Sequence, residues 1–478
     1  MKPLHELSIA EAGAQMRAGT LTSLALTGHA LARIAEFDPR LHAFITVTED
    51  RALRDAARAD QALRAGIDLG PMHGIPYGLK DIFDTAGIRT TCNSWLMENH
   101  VPREDCEVES RLRAGGAVLL GKLNTHEFAL GGPSPELPFP PARNPWNPAH
   151  SPGASSSGSG AAVAAGLVHA ALGSDTSGSV RSPACHCGVV GLKPTYGRVS
   201  RRGAFPLSYA LDHNGPLAWT VEDCALVMQV VAGHDPLDPA SADVPVPDFT
   251  AGIGRDLSGL RIGYARRFFA GLPGLSPEVL AAVDGAAGTL AEMGATVSEA
   301  ELPSFDLFNA CGRVIMAAES YAIHEQDLRE RPERFGRYTY QRIIPGAALT
   351  AADLVQAFRL RRELAEAVNG PVLDRFDALV CATALSPPAR FADFGEHWPP
   401  PAAATATLTI PFNVTGNPAL SVPAGFSRDG LPLGVQIVGR FFDELTVLRI
   451  GAAYQAATGL AARRAPMSWA RADPGGGT

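Results

Sequence analysis

The sequence predicts an α/β protein built on a large mixed β-sheet covered by helices on both faces, and three observations carry that expectation. Two segments, Val108 to Lys122 and Ser276 to Glu299, read as an amphipathic helix that ends at small residues and runs directly into a short apolar strand. Leu260 to Tyr264 reads as a strand ahead of the second segment, which completes a β-α-β unit. Apolar strands then recur to the end of the chain, at 377 to 383, 419 to 422 and 433 to 438, so the sheet is large and mixed.

Taken in chain order, the start is helical. Ser8 and Glu11 have capping-box spacing, and Thr48 to Gly66 is rich in Ala, Arg and Leu at helical intervals. Residues 1–70 are expected to form an outer helical layer. In the β-α-β unit, Ser276 and Pro277 are a natural N-cap and first helical residue, and Val279, Val283, Leu290 and Met293 line one face. A final helix is expected near Glu444 to Thr458. Pro-rich loops occupy 131–153, 234–254 and 385–401, and loops of this kind either border a site or form plain surface. Length alone suggests about three domains at roughly 150 residues each. No long linker separates independent cores, so one domain over 1–465 is expected, followed by a disordered tail at 466–478.

Composition narrows the function classes. Hydrophobic residues are 46% of the 478 and charged residues 19%, enough to bury a large core. Net charge is -8 and no long Lys/Arg run occurs, which argues against a nucleic-acid partner. The seven cysteines are scattered, so reduced thiols and a cytoplasmic location are expected. The N-terminus lacks an apolar signal core, and Ala161 to Leu172 is the longest apolar run, far short of the roughly 20 residues of a membrane span.

The most informative stretch is Ser151 to Arg202. Its Gly/Ser run flows into Ala161 to Leu172, read as an Ala-rich helix, which a flexible linker would not do. Ser155 to Gly160 then sit at a helix N-terminus, where free N–H groups and the dipole favour negative charge. Gly173 to Arg181 reads as a tight turn whose N–H groups at Thr176, Ser177, Gly178 and Ser179 form a concave donor nest suited to a tetrahedral oxyanion. A serine nucleophile needs a base. His150, His169, His186 and His213 lie nearest in sequence, but none has an Asp-x-His setting, and the run is not the G-x-S-x-G elbow.

Lys80 offers the other route. Flanked by Leu79 and by Gly/Pro turn residues, it reads as partly buried, and burial favours the neutral amine, a competent base near pH 7. The bland alternative is a lysine that snorkels or pairs with Asp81 or Asp84.

At these residues the chain resembles the amidase signature hydrolases, of the stand-alone type. Gly74 to Lys80 is similar to the family's GIPxxxKD segment, and Gly153 to Gly160 and Gly173 to Pro183 to its two Gly/Ser motifs. The likeness continues through CGVVGLKPTYGRVSRRG to Gly203, Leu211 to Gly215, NVTGNPALSVPAG from Asn413 and LPLGVQIVG from Leu431. It spans about 20 to 440 with spacing preserved. The resemblance implies the amidase signature fold, with a core at 71–235 that carries catalysis and a variable part at 255–405 that shapes the substrate pocket.

It also implies a Ser, cis-Ser, Lys triad. Ser179 matches the nucleophile, Ser155 the bridging serine that follows a cis peptide bond in the family, and Lys80 the base, with the oxyanion held from Thr176 to Ser179. Asp175 and Arg181 match charged supports of the loop, and Ser156 a second serine that bonds the lysine or the loop. Ala154 and Ser177 stand where the family has glycines, which puts specificity in doubt more than activity. Cys185-His186-Cys187 lacks a second ligand pair, and GLKPT lacks the Gly-Lys-Ser/Thr ending of a phosphate loop. No metal or cofactor is expected.

The expected activity is hydrolysis of a linear carboxylic amide through an acyl-enzyme. Loop aromatics Phe139, Trp146, Phe391, Phe394 and Trp398 are pocket candidates or mere loop pins. Low charge in these loops points to a neutral aryl or alkyl amide, or a carbamate or urea-type bond. The partners are then a small amide and water, without nucleic acid or membrane; a homodimer is left open. Two other readings stand beside it: the glutaminase A subunit of a tRNA-dependent amidotransferase, and an inactive amide-binding scaffold. Against the first, AAESYAIHEQDLRERPERFGRY lacks the Arg-Tyr-Asp-Gly-type run associated with those subunits.

Overall fold

The computed structural model describes residues 2–397, 408–467 and 469. Eleven strands form a single mixed sheet. In chain order they are β1 (Phe44–Val47), β2 (Pro76–Lys80), β3 (Val118–Leu123), β4 (Ala170–Asp175), β5 (Val190–Lys193), β6 (His213–Ala218), β7 (Arg261–Tyr264), β8 (Thr296–Glu299), β9 (Ala378–Ala382), β10 (Ala419–Phe426) and β11 (Pro432–Gly439). Their order across the sheet is β1-β3-β2-β4-β6-β5-β10-β11-β9-β7-β8. β2 runs parallel to both β3 and β4, whereas β4, β6, β5, β10, β11 and β9 are successively antiparallel.

Side-chain alternation along the central strands divides the core between the two faces. Leu119, Ala170 and Leu172 join one apolar cluster, and Val118, Leu120 and Ala171 the other. The first is covered by helices such as Val221–Val231 and Pro277–Glu292, the second by Ser157–Ala164 and Arg181–Cys187.

The capping box at Ser8 and Glu11 is present at the head of helix Ile9–Arg17, and Ser276 caps helix Pro277–Glu292 with Pro277 in its first turn. The helix expected over 161–172 is corrected. The structure has helix Ser157–Ala164, a left-handed turn at Gly166 and then β4. A run of small apolar residues carries no periodicity that separates a buried helix from a buried strand, so the Gly was the only punctuation. Between 300 and 376, where no element was expected, lie helices Phe305–Glu330, Arg337–Ile343 and Ala351–Ala367. The first residues of the expected disordered tail are packed: Met467 is buried and Trp469 Nε1 donates to the Pro145 carbonyl at 2.8 Å. No single helix among the described residues is long and apolar enough to cross a membrane.

Candidate active site

Because β2 and β4 are adjacent and parallel, Lys80 at the end of one strand and Ser174 and Asp175 at the end of the other emerge on the same edge of the sheet. Each strand is buried along its length. The segment Gly153 to Ser156 then leads into helix Ser157–Ala164, which is buried at every position. Small residues are obligatory there: a Cβ on Gly158 would stand 2.4 Å from the Ala43 carbonyl oxygen.

Lys80 is fully buried, with Nζ 2.7 Å from Ser155 Oγ and 2.8 Å from Ser174 Oγ. Burial brings its pKa from 10.5 down to about 7, against the raising influence of Asp212 and Asp175. It pairs with neither sequence neighbour, since Asp81 faces Lys122 at 3.2 Å. Ser155 in turn donates its backbone N–H to Ser179 Oγ at 3.3 Å. The three residues expected from sequence therefore lie together. Ser174 joins them unannounced; the only signal was its place beside Asp175. Ser156 bonds the loop and not the lysine, donating from Oγ to the Ser174 carbonyl at 3.2 Å.

Asp175 and Arg181 hold the turn between them. They form a fully buried pair at 2.9 Å, and Asp175 also accepts from the Gly178 N–H at 2.7 Å and the Val180 N–H at 3.2 Å. Arg181 reaches Asn413 Oδ1 at 2.6 Å and Gln436 Oε1 at 3.1 Å, fixing the loop to the short helix Pro411–Val414 and to β11. The guanidinium holds the Asp175 carboxyl well below the usual carboxylate range despite burial. This geometry takes one donor, Gly178, out of the expected four-donor nest. Gly178 points its N–H inward to Asp175, whereas the N–H groups of Ser177 and Ser179 meet no acceptor among the described residues. Thr176 is anchored through its hydroxyl, which donates to Asp212 Oδ1 at 2.6 Å.

Gly178 needs its glycine, at φ 126° with an added Cβ only 2.0 Å from Thr409 Oγ1. Ala154 and Ser177 do not: neither has positive φ, so their side chains are accommodated without backbone strain.

A cleft opens over this edge, lined by Ser155, Ser177 and Ser179 on one side and by Leu130, Gly131, Met316, Phe394 and Ile410 among others. Of the proposed pocket aromatics, Phe394 lines it. Trp146 is buried with Nε1 donating to the Cys187 carbonyl, and Phe139 and Phe391 lie under Arg89 and Arg143. Those three rings pin loops. Trp398 lies outside the described residues. The sequence reading missed His126, Arg313 and Arg342, which also line the cleft; for Arg313 the available signal was an arginine directly ahead of the apolar run Val314-Ile315-Met316. Burial keeps His126 neutral, with a pKa lowered to about 3.

A profile of the amidase family matches residues 25–448. The chain belongs to the amidase family. This amidase is 41% identical to the A component of the glutamyl-tRNA(Gln) amidotransferase of Roseiflexus sp. (strain RS-1), over 96% of its own length and 98% of that one. Among solved structures, a chain from a vestigial protein complex tied to the origins of an s-triazine catabolic enzyme superposes with TM-score 0.88 at 36% identity, covering 95% of this chain and 99% of the other. A peptide amidase in complex with the inhibitor chymostatin gives TM-score 0.82 at 33% identity, covering 96% and 99%. The amidase is thus an enzyme that hydrolyses amide C–N bonds.

Proposed function

We propose that the amidase cleaves a linear carboxylic amide through an ester on Ser179, with Ser155 as proton bridge and Lys80 as base. The observation that carries this reading is a fully buried amine, its pKa brought to about 7, 2.7 Å from the hydroxyl of the residue whose N–H touches Ser179 Oγ. Neutral Lys80 takes the Ser155 hydroxyl proton while Ser155 takes that of Ser179, and Ser179 Oγ forms a bond to the amide carbon. The resulting oxyanion is met by the N–H groups of Ser177 and Ser179. Collapse breaks the C–N bond as the proton returns through Ser155 to the departing amine. Water then enters by the same relay and splits the ester, restoring Ser179. Asp175 and Arg181 act by holding the turn.

A panel of primary amides, anilides, ureas and carbamates, assayed with the wild type and Lys80→Ala, tests the reading. Loss of general-base assistance predicts a fall in rate of about 10²- to 10⁴-fold. A lysine variant near full rate on every accepted compound overturns the relay. A sulfonyl fluoride should add mass to the peptide containing Ser179, and labelling only elsewhere counts against that nucleophile.

The 41% relatives favour a second reading, a glutaminase component that works in a larger assembly. Glutaminase activity that appears only with a copurifying partner supports it. An inactive scaffold would behave identically after Ser179→Ala.

A further inference from the structure

The cleft is electrically lopsided. Across from the serines, Arg313 on helix Phe305–Glu330 and Arg342 on helix Arg337–Ile343 both line it, and no Asp or Glu is among its described lining residues. Arg313 donates from Nε to Asn309 Oδ1 at 2.9 Å and has no carboxylate within ion-pair distance among the described residues. Arg342 donates to the carbonyls of Leu130 and Gly131 in the cleft wall. Burial and the neighbouring Arg313 charge bring the Arg342 pKa down to about 9, so the two cations repel each other across the same space. The rest of the lining is apolar or neutral, including Leu130, Leu207, Met316 and Ile410. An anion entering the cleft relieves the repulsion and meets the Arg313 guanidinium, which has no carboxylate partner among the described residues. An ammonium would find a like charge and, among the described lining residues, no acid.

Resting on the amide-hydrolase reading, we infer that the acyl part of the substrate carries a free carboxylate and no ammonium, and that Arg313 selects for it. This replaces the expectation of a neutral amide. That expectation came from the charge-poor loops, whereas the charge in the cleft is delivered by two helices.

Three compounds isolate the claim: glutaramate, its methyl ester, and glutamine. The first and second differ in the negative charge, the first and third in the added ammonium. Succinamate and adipamate, with their methyl esters, cover other reaches from Ser179. The best acid of the series should exceed its methyl ester in kcat/KM by about a hundredfold, the scale of hydrogen bonds to a charged group, and glutaramate should exceed glutamine by a similar factor. Arg313→Gln should reduce the acid-over-ester ratio at least tenfold, chiefly through KM, and Arg313→Lys should restore part of it. An ester hydrolysed as well as its acid overturns the inference, as does a preference for glutamine. Calorimetry of succinate, glutarate and adipate on Ser179→Ala separates the two proposals. If no amide is cleaved but a diacid binds and Arg313→Gln abolishes that binding, the anion site stands and the hydrolytic reading falls. If none binds and none of the acids is preferred, the anion site falls whatever happens to neutral amides.

Discussion

Lys80 Nζ stands 2.7 Å from Ser155 Oγ, inside the sheet edge with no exposed surface. Only the neutral amine has a lone pair to offer that hydroxyl, so kcat/KM should rise with pH through about 7 and level off above it. A pH–rate profile flat from 5 to 9 would remove Lys80 from the relay.

The same burial has a stability consequence of definite sign. The lysine pKa is about 7 folded against 10.5 for the ordinary side chain. Between those values the unfolded chain binds more protons than the folded one, so stability gains with rising pH in that window. Thermal unfolding of the wild type relative to Lys80→Met should therefore improve as pH goes from about 7 to 10. A constant difference would mean that the lysine is charged in its pocket.

Ser174 holds the amine from the other side, at 2.8 Å. Donating to Ser174 leaves the nitrogen lone pair directed at Ser155, so Ser174→Ala should lower the plateau rate about tenfold, the scale of one hydrogen bond. Because the hydroxyl oxygen also accepts from the ammonium form, its removal should move the acidic limb of the profile downward. A structural effect alone would change the rate without moving that limb. Ser174→Thr should recover most of the loss.

Much of this site could be read from residues. Lys80, Ser155 and Ser179 are separated along the chain by up to about a hundred residues, yet each lies in a short motif whose small neighbours announce close backbone packing. The Asp175 and Arg181 supports were also within one motif. What sequence could not supply was direction. Nothing in DTSGS says that the Gly178 N–H turns toward Asp175, because that depends on where the buried carboxylate sits. Arg313 and Arg342 stayed hidden for a related reason, since helix faces over 305–343 acquire meaning only once the sheet edge below them is placed. The first half of β4 was read as helix because its alanines fit either element, the second half, from Gly173, as part of a turn, and the sheet neighbours β2 and β6 decided the matter.

Neighbouring positions in the turn should respond oppositely to substitution. Ser177 does not have positive φ, so Ser177→Gly frees the unfolded chain without relieving strain and should cost about 0.4–1 kcal/mol while activity persists. Gly178 sits at φ 126° with Thr409 Oγ1 only 2.0 Å from where a Cβ would fall. Gly178→Ala must displace either Thr409 or the turn, so it should destabilise more than Ser177→Gly and abolish sulfonylation of Ser179 by a sulfonyl fluoride. Full labelling in that variant would show that the turn tolerates another shape.

Arg181 has no solvent to fall back on: its guanidinium is fully buried among Asp175, Asn413 and Gln436. Removing one partner of such a pair strands the other charge, which typically costs about 3–5 kcal/mol. Arg181→Met should therefore lower the unfolding midpoint sharply at pH 7. Asp175 would also lose the partner that keeps its carboxyl ionised, so the deficit should shrink when both proteins are compared at acid pH, where a protonated Asp175 no longer carries a buried charge. An Arg181→Met variant as stable as the wild type at pH 7 would mean that Asn413 and the turn N–H groups suffice to hold the carboxylate, and that the arginine serves the loop only as filler.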